Sequence, residues 1–266
     1  MDLNIDMSFP IEELEFFLLI LTRISMFVFA APFFGRSEVP RTVKASFAVL
    51  LSILLYTGIQ PHVYPQYSTL LGYSTLVIKE SITGLLIGLA ANWSMQIAAF
   101  AGQIVDTNIG FSMSAQLDPS TQMNVTVTGN FYQYGFMLVF MATGMHRFLV
   151  QAMAESFTLI PIGKAVFDLE GMYRSFLDFM AQYVMLGFKI GLPVFSVTLL
   201  LNGLLGIMAK VSPQMNMFAV GVQIKAIVGL SVLFLTVSLL PAAADLVFDQ
   251  MKTAIVSFIE AMGGGA

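Results

Sequence analysis

Long apolar runs separated by short polar breaks set the pattern of this chain. Runs at about Leu14–Phe34, Ala45–Gly58, Leu76–Ala101, Phe131–Met145, Ser175–Ala209 and Met217–Leu240 predict helices of membrane type. After Pro241, the residues Val247, Met251, Ile255, Phe258 and Met262 recur at helical spacing, with Asp245, Asp249, Lys252 and Glu260 off that stripe. This spacing predicts an amphipathic tail helix resting on a membrane surface or a partner. Pro32 and Gly35 end the first helix, and Pro241 closes the last apolar run. At about 50 Å of helix, the Ser175–Ala209 run exceeds a bilayer core, and Pro193 is expected to kink or divide it. With Met217–Leu240 it forms a helical hairpin around the polar break Lys210–Asn216.

One stretch breaks the pattern. Gly102–Asn130 lies between apolar segments yet is dominated by Ser, Thr, Asn and Gln, with two acids, Asp106 and Asp118, and no Lys or Arg. A polar, nearly uncharged loop inside a lipid-embedded chain must be wet or packed against protein. Its bulky apolar residues, Phe111, Met113 and Met123, either pack the loop onto its own bundle or form a compliant seal over a pore.

Composition narrows the class. The 266 residues are 57% hydrophobic and 11% charged, against roughly 25% charged in ordinary soluble domains. An all-α integral membrane bundle is the expected fold, as one unit rather than several domains. The acidic start (Asp2, Asp6, Glu12, Glu13, Glu15) lacks the basic region of a cleaved signal. Zero cysteines and two histidines leave no thiolate or histidine metal centre to expect, and the net charge of −4 speaks against nucleic acid. Arg36, Arg41 and Lys44 place the first turn in the cytoplasm, and the acidic N-terminus outside, by the positive-inside rule. Strict alternation from there would put Gly102–Asn130 in the cytoplasm, which its lack of positive charge contradicts. Some apolar segments are therefore expected to be hairpins or to sit inside an assembly. Tyr56, Tyr64, Tyr67 and Tyr73 fit a membrane–water boundary.

Polar groups within the apolar runs need partners. Arg23 is expected to pair with an acid in the bundle, and Lys189 to pair or snorkel. Asn92 and Gln96 give the third segment a polar side, and Asn202, Gln214, Asn216 and Lys225 are further interface candidates in the hairpin. Gly84-x-x-x-Gly88 and Gly187-x-x-x-Gly191 offer small faces for close helix contact. No HExxH, GxSxG or phosphate-binding loop occurs. Asp106 and Asp118-Pro119 as a protease pair lack a second motif, and capping or turn formation explains them better. Non-enzymatic function without a cofactor is the expectation. A secondary transporter using Arg23, Lys189 and Lys225 is a competing one, though no internal repeat supports it.

Four strings then resemble a known family in order: APFFGRSEVPRTVK (Ala31–Lys44), GQIVDTNIGFSMSAQLDP (Gly102–Pro119), GMHRFLVQAMAESFTLIPIG (Gly144–Gly163) and LPVFSVTLLLNGLLGIMAKVSPQMNMFAVGVQIKAIVG (Leu192–Gly229). They resemble the FliR family of flagellar type III export gates. The resemblance implies a FliP-like portion over about residues 1–174 and a FliQ-like hairpin with its tail over about 175–262. It also implies a helical pore-forming assembly with FliP-, FliQ- and FlhB-like partners in the bacterial inner membrane at the flagellar basal body. Unfolded flagellar subunits would be the exported substrates. The plug of the family falls here around Asp106–Asn124, making Asp106, Gly110, Phe111, Met113, Asp118, Pro119 and Met123 gate candidates. The homologous SctT-type subunit of injectisomes is the alternative branch.

Overall fold

The computed structural model describes residues 11–59, 63–67, 69–111, 126–212, 214 and 216–263. Met113, Asp118, Pro119 and Met123 lie outside them. The described chain is helical throughout: α1 (Ile11–Ala30), α2 (Arg41–Gly58), α3 (Leu70–Ile109), α4 (Val127–Ala142), α5 (Met145–Leu159), α6 (Leu169–Val211), α7 (Met217–Thr236) and α8 (Leu240–Gly263). The Leu70–Ile109, Leu169–Val211 and Ala219–Gly263 helices are long and apolar enough to cross a membrane. The pair α4–α5, bent by 71° at its break, could make a fourth span. This is an all-helical integral membrane protein.

The chain divides into two compact units: residues 1–92, 147–176 and 252–266 in one, and residues 93–146 and 177–251 in the other. In the first unit α1 and α2 form an antiparallel pair, with Phe16 and Phe17 against Tyr56 at one end and Phe34 stacked on Phe47 at the other. Phe33 turns the chain between them with φ of 71°. Lys44, expected in the cytoplasmic charge cluster, points inward instead. It is buried and donates to the Gly35 carbonyl at 3.0 Å, closing this turn. The start of α3 runs parallel to α1 at very short range. A Cβ on Gly84 would lie 2.0 Å from the Arg23 carbonyl oxygen, and one on Gly88 would lie 2.9 Å from that of Phe27. The first GxxxG signal is thus a backbone-on-backbone seam.

In the second unit Gly187 lies under Phe100, whose ring also stacks on Tyr183. Gly191 meets Ala101, Ile104 and Val105. The second GxxxG signal therefore seats α6 against the latter half of α3. Phe140 packs on Phe248, bringing α4 to α8.

Several boundaries differ from the sequence expectation, for physical reasons. Helix α3 continues to Ile109, so the first eight residues of the Gly102–Asn130 stretch are helical. Thr107 and Asn108 donate to the carbonyls of Gln103 and Ile104 four residues back, so their polarity does not break the helix. Asn130, at the other end, lies inside α4. Helix α6 runs through Pro193 and begins six residues before the expected run, at Leu169. Pro193 has no N–H to give the Lys189 carbonyl, yet the helix is not divided. Pro241 does not end the last run either. A short 3-10 turn, Val237–Leu239, passes directly into α8, and Pro241 sits in its first turn, where a missing N–H costs nothing.

The tail gives the clearest correction. Its stripe of Val247, Met251, Ile255, Phe258 and Met262 is buried in the chain's own core, not laid on a surface. The strand-like stretch before α6 ties down its end, with the Val166 N–H donating to the Met262 carbonyl at 2.9 Å and that of Asp168 to Ala261 at 3.1 Å. Ile255, fully buried, tests this packing. Ile255→Val should lower stability by about 1 kcal/mol through its lost methylene, whereas exposed Val256→Ala should change it by less than about 0.5 kcal/mol. Chemical denaturation in detergent micelles would read both, and equal effects would contradict a buried stripe.

Candidate functional site

The described ends of the central polar segment meet at one place. A Cβ on Gly102 would lie 2.2 Å from Gly129 Cα and 2.3 Å from its nitrogen, so α3 and α4 touch through bare backbone. One turn further along α3, Asp106 is buried and both its carboxylate oxygens accept from the Thr128 N–H, at 3.1 and 3.2 Å. The N–H groups of Val127 and Gly129 also bond to this carboxylate. The first N–H groups of a helix have no partner within it, and here an acid from another helix satisfies them. The Asp106 carbonyl accepts from the N–H groups of Gly110 and Phe111, at 3.0 and 2.9 Å. Gly110 has φ of 97°, a turn that suits glycine and ends the helix. One residue therefore fixes both the exit from α3 and the entry to α4. Its role is capping, in line with the simpler of the two sequence readings.

Among the other candidates, Arg23 is fully buried and paired, as expected of a lone cation in an apolar helix. Its Nε donates to Glu80 Oε2 at 2.5 Å, and its Nη1 donates to the carbonyls of Ser156 and Ile160 at 3.2 and 3.0 Å. Glu80 Oε1 accepts from the Gly163 N–H at 2.8 Å. The guanidinium also lies 4.3 Å from the centroid of the Phe157 ring. One ion pair thus joins α1, α3 and the end of α5. Asn92 Nδ2 donates to the Ala30 carbonyl at 2.9 Å, capping α1. The Gln96 carbonyl accepts from the Tyr183 hydroxyl at 3.4 Å. Asn216 caps α7 through the Ala219 N–H at 3.4 Å. Lys189, Asn202 and Gln214 are exposed, and Lys225 is half-buried. The structure does not gather Arg23, Lys189 and Lys225 into one site: Arg23 falls in the first unit and the two lysines in the second.

Sequence reasoning missed Glu80, Thr128 and Gly129. Glu80 reads as a charge at the start of a segment, but α3 begins ten residues earlier and makes it a mid-helix acid. The tyrosines placed at a membrane boundary have protein partners too: the Tyr67 hydroxyl donates to a Glu15 carboxylate oxygen, and Tyr73 to the Glu15 carbonyl at 3.3 Å. Among the described residues, no cluster of His, Asp and Glu could hold a metal ion.

Comparison with known proteins agrees with the resemblance read from the sequence. The flagellar biosynthetic protein FliR of Caulobacter vibrioides is 29% identical over 220 residues, covering 83% of this chain and 87% of that protein. FliR of Bacillus subtilis is 29% identical over 236 residues, 88% of this chain and 90% of its own length. The surface presentation of antigens protein SpaR of Shigella sonnei is 24% identical over 242 residues, 86% of this chain and 90% of that protein. These relatives carry names of export and presentation components, not of enzymes. The family model described as bacterial export proteins, family 1, matches residues 14–251, and the chain belongs to that family.

Proposed function

We propose that this chain is a core membrane subunit of the flagellar type III export gate in the bacterial inner membrane. With FliP- and FliQ-like subunits, and an FlhB-like neighbour, it forms the channel through which unfolded flagellar proteins pass. The stretch from Asp106 to Asn124 acts as its plug, and the protein performs no catalysis. The observation that carries this reading is the stem of the polar segment. A run of hydroxyl, amide and bulky apolar side chains leaves α3 and re-enters α4 at two ends held together by Asp106 and the Gly102–Gly129 contact. A segment with fixed ends can cover an opening without altering the helices that bear it.

The apolar helices support the assembly part. In the most hydropathic stretch of Ala219–Gly263 only 11% of residues are buried, and Leu200, Leu204, Phe234 and Leu235 stand exposed on α6 and α7. Such surface needs lipid or neighbouring helices. Deleting Phe111–Ser120 should leave assembly with FliP- and FliQ-like subunits intact and make cells leak ions, read by membrane potential and by co-purification. Normal assembly without a leak would reject the plug role. Failure to co-purify with those subunits would reject the gate itself. The SpaR relative favours one second reading, a homologous injectisome subunit. Neighbouring flagellar or injectisome genes distinguish the two.

A further inference from the structure

The second unit contains a cavity of about 250 Å³ whose chemistry the proposed function does not use. Phe136, Ile190, Pro193, Leu233, Leu240 and Leu246 form most of its wall. One charged side chain, Lys189, lies in the lining. The hydroxyl of Thr236, also in the lining, is occupied, donating to the Val232 carbonyl of its own helix at 2.9 Å. Lys189 itself is exposed and has no ion pair with any described residue. Asp245, on the α8 helix that supplies Ala243 and Leu246 to the cavity, is exposed and does not pair with it either.

The position of Lys189 along its helix adds a second, independent observation. Residues 190–209 carry no charge, and Lys210 follows. Twenty helical residues rise about 30 Å, the thickness of a hydrocarbon core. Lys189 and Lys210 therefore bracket one bilayer crossing, each at a headgroup level. The companion helix agrees: residues 226–244 are also free of charge, between Lys225 and Asp245. Because α7 returns antiparallel to α6, Asp245 falls at the same level as Lys189. At that level an ammonium meets phosphate, and the wall beside it is apolar.

We infer that this cavity is a phospholipid site, holding part of one acyl chain against Phe136, Leu233 and Leu246 with the lipid phosphate on the Lys189 ammonium. Each methylene taken from water into such a wall contributes about 0.8 kcal/mol, but a chain already in the bilayer gains little by that route. Selection must come from the charge. An anionic glycerophospholipid offers its phosphate without a competing headgroup cation, so it should be preferred over a zwitterionic one. A neighbouring protein helix bringing an acid to Lys189 is the competing occupant, and free anion binding at the amine is the other.

The test uses full-length protein in zwitterionic detergent, titrated with phosphatidylglycerol, phosphatidylcholine or glycerol 3-phosphate and read by native mass spectrometry. We expect one phosphatidylglycerol retained, about tenfold weaker retention of phosphatidylcholine, and no retained glycerol 3-phosphate. Lys189→Met should weaken phosphatidylglycerol about tenfold, and Lys189→Arg should keep it. Leu233→Trp, which fills the wall, should remove it with Lys189 intact. Circular dichroism identifies any variant that has lost its helices, and the Lys189→Arg result carries the comparison if one has. Equal retention of the two lipids, or by Lys189→Met, overturns the inference. So does binding of glycerol 3-phosphate alone. Carbodiimide cross-linking of Lys189 to a carboxylate of a co-purified subunit would give the cavity to that protein and overturn it as well.

Discussion

Arg23→Leu should be among the most destabilising single substitutions in this chain, costing about 3–5 kcal/mol, because it strands Glu80 in a dry core. Both partners of the pair are fully buried. With the guanidinium gone, Glu80 keeps one donor, the Gly163 N–H, and the carbonyls of Ser156 and Ile160 lose theirs. Glu80→Leu should cost a similar amount by leaving the cation. The double substitution Arg23→Leu, Glu80→Leu separates the two contributions. Replacing both charges in a buried pair by apolar groups is often close to neutral. Here, however, two carbonyls and one N–H would still lose a partner, at about 1–3 kcal/mol for each that stays dry and unpaired. The double variant should therefore recover part of the loss but stay below the parent. Arg23→Lys should also fall short, since an ammonium cannot reach Glu80 and two carbonyls with the geometry of a planar fork. Denaturation midpoints in micelles, combined as a double-mutant cycle, measure these quantities. Single-variant losses below about 1 kcal/mol, the range of exposed pairs, would show that the pair is hydrated.

That pair also shows what a sequence can and cannot disclose. A lone arginine inside an apolar run announces that it is paired, since the alternative is too costly. Its partner lies 57 positions away and was masked by adjacent Lys79, which made Glu80 look like an interfacial charge. The GxxxG spacings were legible as close-contact faces, yet the contacting helices came only from the structure. In the tail, the stripe of Val247, Met251, Ile255, Phe258 and Met262 was legible residue by residue. Its destination was not, because a stripe that packs on a membrane and one that packs on a core have the same period. The central stretch misled in another way. Thr107 and Asn108 read as loop residues, but each can return its hydrogen bond to the helix that bears it. Two glycines 27 positions apart, flanking a polar run, were the available sign that its ends meet.

Disrupting that meeting should have the second large effect. A methyl group on Gly102 faces Gly129 backbone at 2.2 Å, and backbone cannot rotate away as a side chain can. Gly102→Ala should therefore force α3 and α4 apart, at the overpacking cost of about 1–3 kcal/mol, and Gly102→Val should exceed it. Asp106→Leu acts on the same stem without adding backbone conflict. It leaves the Thr128 N–H buried and unpaired, at about 1–3 kcal/mol, while Asp106→Asn retains an acceptor and should lose less. If the stem positions the plug, Asp106→Leu in an assembled gate should raise ion leak toward that of the Phe111–Ser120 deletion, with Asp106→Asn between it and the parent. A purely structural cap predicts something else: lower stability and less assembled complex, but no leak per assembled gate. Measuring leak against the amount of co-purified complex separates the two. An Asp106→Leu protein that is as stable and as tightly sealed as the parent would remove Asp106 from both roles.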